Sequence, residues 1–390
     1  MTQSTLVICF STASLKAEIW TNKQHLMSRL SKKNGYKVIY VDQGMSTREF
    51  KKAVRDRDWE YFLKPTWKFN DNLKCLSFYF LPLIKGGWLK KLAWKILYYL
   101  IKKTEDITKY DRVIFWVYEP QSWYLINQIN SQDRKWTVLY DCVDDFKSQP
   151  FYANNKNRKE ELIEIEKELV QYADIVTTTS KQLFNDKKNL NNNTHYVHNV
   201  GDYEHFKESD GLLPKELDYL ISISEKKIVY AGVIDDYKID LELIDHVSDQ
   251  KQFHFLFLGP VRVDKKKELF RKIKEKKNVE FFGLVEYKIL PSILHECDVI
   301  WLPYQKNEHT KYVFPLKLFE AFATGKQVVG RDLNSYSSFY RYMQIFRDSE
   351  EAILELKKEN DTKTALERKN FAKENSWDSR LNKILKILTN

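Results

Sequence analysis

Short, wholly apolar runs separated by helical segments occur in two successive sets along this chain, and that repetition constrains the fold more than any other feature. "TLVICFST" (5–12) is followed by "WTNKQHLMSRLSKKNG", which reads as a helix ending at Gly35, and then by "YKVIYVDQG". Strands apolar on both faces belong to parallel sheets covered by helices on both sides. The opening is therefore a βαβ unit of an α/β domain. "RVIFWVYEP" (112–120) and "KWTVLYDCVDD" (135–145) continue the strands, and the charged helix "NRKEELIEIEKELVQYAD" runs into "IVTTTS". "HYVHNVGDYEHF" reads as a last strand and exit loop, and "KESDGLLPKELDYLISISEKK" as a polar linker with a short helix. The pattern then restarts with the strand "KIVYAGVI", the helix "YKIDLELIDHVSD", the strand "FHFLFLGPV", the basic helix "KKKELFRKIKEKK" and the strand "NVEFFGLV". "YKILPSILHECD" and "VIWLPY" form a further helix and strand, and "NFAKENSWDSRLNKILKIL" a closing helix capped by Asn375 or Ser376. The expected architecture is α/β, with two Rossmann-like domains facing a central cleft. Residues 1–206 form the first, 207–225 a linker, 226–370 the second, and 371–390 a C-terminal helix returning to the first. Ligands of such sheets bind beyond the carboxyl ends of the strands.

With 390 residues and 43% hydrophobic content, the chain can build two cores of ordinary size. Lys and Arg (64) exceed Asp and Glu (54), a net +10 that favours an anionic partner: a phosphate-bearing substrate, nucleic acid or an anionic membrane. Cys9, Cys75, Cys142 and Cys297 are far apart, with no CxxC pair or Cys/His cluster. Neither a disulfide framework nor a zinc site is expected, and a reducing cytoplasm suits this usage. The N-terminus lacks a signal peptide's basic start and cleavage site, and no apolar run approaches the roughly 20 residues that span a bilayer. The absence of a Ser/His/Asp set, a Walker loop and GxGxxG argues against kinases and dehydrogenases. Nucleic-acid binding would need base-reading or stacking modules, and none is seen.

Several residues carry potential chemistry. "YVFPLKLFEAFATGKQVVG" (312–330) reads as a helix with Pro315 at its start and Gly325 at its end, then a strand. Glu320 is a lone carboxylate in this apolar run, and such a group needs a partner. The free amides of Leu316, Lys317 and Leu318, the helix dipole and the Lys317 charge suit a diphosphate. Gly232 ends the first strand of the second domain, where a backbone must come close to phosphate. Lys238 follows as either a phosphate ligand or an exposed lysine. "YDCVDDF" places Asp141, Asp144 and Asp145 after a strand; Asp144 or Asp145 either orients or deprotonates a substrate hydroxyl or serves turn chemistry. Trp20 and Asn22 follow the first strand at its carboxyl end, while His25 reads as structural. No metal ligand set is identified.

"KGGWLKKLAWKILYYLIKK" (85–103) holds six lysines and no acid. Leu89, Leu92, Ala93, Ile96, Leu97 and Leu100 fall on one helical stripe, with Lys91, Lys95 and Lys102 on the other side. Trp88, Trp94, Tyr98 and Tyr99 are rings that favour interfaces. With Lys90, Lys91 and Lys95, Trp88 and Trp94 are the expected contacts to an anionic membrane, the alternative being a helix packed on the first sheet.

Taken in order, these pieces resemble the GT-B glycosyltransferases, specifically family-four-like enzymes of teichuronic acid biosynthesis. The likeness rests on "FSTASLKAEIWTNKQHLMSRL", "LYDCVDDF", "ADIVTTTSKQL", "HNVGDYEHF", "VYAGVIDDYKIDLELI", "NVEFFGLV", "DVIWLPY", "PLKLFEAFATGKQVV" and "NSWDSRLNKIL". It implies a hexosyl-type transferase, working without cofactor or metal, that takes a UDP- or GDP-linked sugar and a lipid-linked glycan acceptor, with Trp20 and Asn22 on the acceptor side. Retention of configuration is implied, although Asp144 as base would allow inversion. Glu320 would then accept hydrogen bonds from the ribose hydroxyls. The chain departs from the family at four places: Gly201 is displaced within the exit loop "HNVGDYEHF", where the family reads Asn-Gly-Val-Asp; Tyr312 stands where relatives carry a second glutamate, with Glu308 out of register; Val233 stands in an arginine place; and the first loop lacks glycine. The implied location is the inner face of the cell membrane. A nucleotide-sugar epimerase, a non-catalytic scaffold of the same fold and a nucleic-acid-binding protein are the alternative readings.

Overall fold

The structure is a computed structural model and describes residues 4–17, 20–42, 55, 66–77, 87–129, 136–148, 152, 155–307, 310 and 316–389. The chain divides into two compact units, one comprising residues 1–198 and 380–390 and the other residues 199–379.

In the first unit, β1 (Thr5–Phe10), β2 (Tyr36–Asp42), β5 (Arg112–Val117), β6 (Trp136–Cys142), β7 (Ile175–Thr178) and β8 (Thr194–Tyr196) are parallel. β3 (Thr66–Asn70) and β4 (Leu73–Ser77) form an antiparallel hairpin, with β4 parallel to β2. The strand order is β3-β4-β2-β1-β5-β6-β7-β8. α1 (Asn22–Leu30), α2 (Gly87–Thr104), α3 (Lys156–Tyr172) and α4 (Lys181–Lys188) accompany the sheet. β1 is buried throughout, as expected for a central parallel strand covered on both faces. α3 presents Leu162, Ile165, Leu169 and Val170 to the core at helical spacing.

In the second unit, β9 (Lys226–Ala231), β10 (Phe253–Leu258), β11 (Val279–Gly283), β12 (Val299–Leu302), β13 (Gln327–Arg331) and β14 (Gln344–Phe346) form a wholly parallel sheet, ordered β11-β10-β9-β12-β13-β14. Its helices are α5 (Leu241–Val247), α6 (Lys267–Lys274), α7 (Leu290–Glu296), α8 (Leu316–Thr324), α9 (Ser349–Lys357) and α10 (Thr362–Glu374). α11 (Trp377–Thr389) carries the chain back into the first unit at Arg380.

Three expectations change. The division falls at 198 rather than 206, because Phe206 is fully buried in the core of the second unit. The supposed linker is structured: Lys215–Ile221 forms a 3-10 helix whose Leu217 and Leu220 are fully buried in that core. The segment after 370 is two helices, α10 ending at Glu374 and α11 starting at Trp377.

Candidate functional site

The second sheet changes direction between β9 and β12, and the loops leaving these two strands are tied together. The Gln305 amide donates to the Lys238 carbonyl (2.6 Å), the Asp240 amide to the Pro303 carbonyl (2.9 Å), and Ile239 bridges to Tyr304. Behind this loop the backbone is crowded. Gly259, with φ of 134°, lies against the Gly232 carbonyl so closely that a β-carbon would overlap it. The side-chain direction of Gly232 is itself occupied by the Tyr230 hydroxyl, so its own neighbours account for a glycine there. The Lys238 ammonium lies 3.5 Å from Asp235 Oδ2 and 4.8 Å from the centroid of the Tyr237 ring.

α8 buries Leu318, Phe319, Ala321, Phe322 and Ala323, leaving Lys317 and Glu320, three residues apart, partly exposed on one side. Its far end closes at Gly325, with φ of 74°. The fully buried Arg368 guanidinium donates there to the Gly325 carbonyl (3.1 Å) and to the Tyr342 carbonyl (3.2 Å). Burial draws the Lys317 ammonium below the usual lysine range; Glu320 opposes this and Lys238 adds to it. Burial likewise raises the Glu320 carboxyl, with Lys317 opposing and Asp202 adding. Lys238, Lys317, Glu320 and Asp202 thus share one electrostatic neighbourhood. Gly201 packs directly on the α8 backbone, with its β-carbon position 2.7 Å from Phe319 Cβ. Leu316 begins α8; Pro315, Tyr312 and Glu308 lie outside the described residues.

In the first unit the three aspartates separate. Asp141 is fully buried: Arg380 Nη2 donates to its Oδ1 (2.9 Å), Thr177 Oγ1 to the same oxygen (2.9 Å), and Trp116 Nε1 to its Oδ2 (3.4 Å). It is a structural ion pair. The Asp144 side chain is 54% exposed, and its Oδ2 lies 4.0 Å from the ammonium of Lys23, itself 5% exposed in the first turn of α1. Asp145 pairs with Lys147 at 3.8 Å. Asn22 is buried at the start of α1, and Trp20 meets His25 edge-on at 5.5 Å and Phe69 at 5.9 Å. His25 is buried, with Nδ1 3.2 Å from Arg29 Nη1.

The sequence reading omitted Lys23 and Asp202. Nothing distinguishes Lys23 from a solvated lysine until β5 and β6 fold beside it. Asp202 lay within the exit loop without an assigned role.

The basic helix α2 requires a correction. Trp94 is 4% exposed and packs in the core with Ala93, Leu97 and Ile101, so it is not a surface contact. The outward face instead carries Leu92, Ile96 and Tyr99, all exposed, with Lys95, Lys102 and Lys103. Trp88, Lys90 and Lys91 fall in the first turns of α2, with side chains outside the described residues. No helix among the described residues is long and apolar enough to cross a membrane, and no group of three or more His, Cys, Asp or Glu among them is placed to hold a metal ion.

Residues 225–344 match the family described as Glycosyl transferases group 1. The chain is 27% identical over 280 residues to the putative teichuronic acid biosynthesis glycosyltransferase TuaH of Bacillus subtilis (strain 168), covering 67% of this chain and 68% of that one. Its fold is similar to that of sucrose-phosphate synthase from Thermosynechococcus elongatus, with TM-score 0.69, 14% identity, and coverage of 99% and 98%. It is also similar to HepE of Anabaena in complex with UDP, with TM-score 0.66, 14% identity and 99% of each chain covered.

Proposed function

We infer that this chain, a glycosyltransferase of the GT-B fold, moves a sugar from a UDP- or GDP-linked donor to a lipid-linked glycan acceptor in cell-envelope polysaccharide synthesis. The observation that carries the reading is Glu320, held partly buried on α8 beside Lys317 and Lys238. An ionised carboxylate in that place accepts hydrogen bonds from a vicinal diol such as ribose. The start of α8 and the two ammonium groups supply positive potential for a diphosphate. Complexes of HepE with UDP and UDP-glucose support the donor class, and the teichuronic acid relative supports the envelope setting. The resemblance to family-four enzymes supports retention of configuration. Asp144, exposed after β6, is the acceptor-side carboxylate of this reading.

The outward face of α2 supports peripheral attachment to the inner face of the membrane. Exposed Leu92, Ile96 and Tyr99 provide apolar area, and Lys95, Lys102 and Lys103 provide charge for anionic headgroups. The test is thermal stabilisation by a panel of nucleotide sugars, repeated with Glu320→Ala. A ligand at one hundred times its Kd stabilises the folded state by about 2.7 kcal/mol. Failure of every nucleotide sugar to stabilise the wild type, or equal stabilisation of Glu320→Ala, would overturn the assignment. Product analysis with Asp144→Asn then tests the acceptor side, with donor binding retained and transfer lost as the expected result.

A further inference from the structure

The first sheet also changes direction, between β1 and β5: β2 and β4 extend it one way, and β5 to β8 the other. At such a switch point the loops leaving the two central strands diverge and open a crevice at their carboxyl ends, where doubly wound sheets take ligands. Lys23 stands there. Its ammonium is 5.6 Å from the ring centroid of Tyr118, just beyond β5, and 4.0 Å from Asp144 Oδ2, just beyond β6. Lys23 is 5% exposed, and its ammonium makes no hydrogen bond among the described residues. A buried charged donor ordinarily has such a bond. The 4.0 Å gap is too long for a direct one. A single hydroxyl oxygen fits it, receiving a hydrogen bond from the ammonium and donating one to the carboxylate, each at about 2.8 Å. An anion fits less well. Asp144 and Glu119 both act on Lys23, and they would repel a phosphate.

We propose that Lys23 and Asp144 together bind a hydroxyl group of an uncharged sugar at this crevice, the ammonium donating to the hydroxyl oxygen and the carboxylate accepting from it. The proposal rests on the glycosyltransferase reading and deepens it: the sugar is the terminal residue of the acceptor, and Lys23 positions the hydroxyl that Asp144 contacts. Burial lowers the Lys23 ammonium from its usual range, so the contact weakens at alkaline pH.

The test measures binding of octyl β-glucoside, octyl β-galactoside and octyl 2-acetamido-2-deoxy-β-glucoside by saturation-transfer NMR, below their micelle concentrations. Octyl phosphate is the anionic arm and UDP the control for the second unit. Wild type should bind at least one glycoside in preference to octyl phosphate. Lys23→Met, similar in volume and uncharged, should lose that binding about tenfold or more while keeping its melting temperature and its UDP affinity. Asp144→Asn, at an exposed site, should lose the glycoside to a similar degree and keeps the question open to test should Lys23→Met fail to fold. Equal glycoside binding by the folded variants, preference for octyl phosphate, or no binding of any glycoside by wild type would each overturn the proposal. Loss of UDP binding with glycoside binding intact would sink the donor assignment and leave this one standing.

Discussion

Gly201 lies so close to α8 that a β-carbon on it would sit 2.7 Å from Phe319 Cβ and 3.0 Å from the Glu320 amide nitrogen. From its other side Gly201 bridges to Ser376, and its amide donates to the Asn375 carbonyl at 3.4 Å. The loop therefore cannot retreat freely, and Gly201→Ala must displace α8. Overpacking of this kind costs about 1–3 kcal/mol. The variant should melt earlier and bind UDP more weakly; calorimetry and a melting curve indistinguishable from wild type would refute the coupling.

Glu320→Gln should separate stability from binding. The carboxyl is raised above its ordinary value by burial, so the folded state favours its protonated form. The stability this gives is present below the unfolded value of about 4.3 and is lost as pH rises through the raised folded value. Glutamine escapes that loss, so the variant should be at least as stable as wild type at pH 7. Loss of a charged hydrogen-bond acceptor for the diol costs about 1.5–3 kcal/mol, roughly 10- to 150-fold in Kd. Wild-type affinity should rise with pH as Glu320 ionises, whereas Glu320→Gln should show a flat profile over that range. A binding profile shared by both proteins would assign the titration elsewhere.

Donor binding should persist in excess chelator. The start of α8, Lys317 and Lys238 already supply positive potential on one side of the second unit. Calorimetry with UDP and ethylenediaminetetraacetate should match that with added magnesium. A Kd that falls tenfold or more on restoring magnesium or manganese would contradict this.

The two faces of α2 should respond differently to substitution. Leu92→Ser with Ile96→Ser and Tyr99→Ser should leave the melting temperature near wild type and weaken binding to phosphatidylglycerol vesicles, because these side chains are exposed. Lys95→Gln, Lys102→Gln and Lys103→Gln together should remove the salt-sensitive part, about 1 kcal/mol per lysine. Trp94→Ala should instead destabilise the fold by about 3–5 kcal/mol as a core truncation. Vesicle binding unaffected by both outer-face sets would end the membrane assignment.

Arg380→Met should destabilise the first unit by about 3–5 kcal/mol, since it strands the fully buried Asp141 carboxylate. Adding Asp141→Leu should recover part of that loss, because removing both charges avoids an unpaired one. Denaturant titration of the two variants checks this, and additive losses would show that the pair is not coupled.

What the sequence disclosed follows from how local each signal is. β1, β9 and β12 were readable because each holds an unbroken apolar run (Leu6–Phe10, Ile228–Ala231 and Val299–Leu302), and Glu320 because a lone acid in an apolar helix stands out. The β3–β4 hairpin was missed: Thr66–Asn70 is mostly exposed and polar, and its pairing with β4 is the tertiary fact that makes it a strand. α9 was missed because its first turn is acidic and only Ala352, Ile353 and Leu356 are buried. α2 misled because it is apolar on two faces. Periodicity identified the helix, but only the position of the sheet decides that Trp94 faces inward and Tyr99 outward. Lys23 carries no sequence signal, since its burial is created by β5 and β6, more than 80 residues away.

The ion pair of Arg380 with Asp141 also sets an order of events during synthesis. Asp141 leaves the ribosome 239 residues before Arg380. At ~5–20 residues per second the interval is on the order of tens of seconds. Throughout it, residues 1–198 lack the cation that neutralises their buried carboxylate and that also bonds the carbonyls of Val197 and His198. Residues 199–379 form one uninterrupted stretch and can complete their core first. The nascent first unit therefore waits, with its sheet assembled around an uncompensated charge, and is the part of the newborn protein that chaperones and proteases meet unfinished.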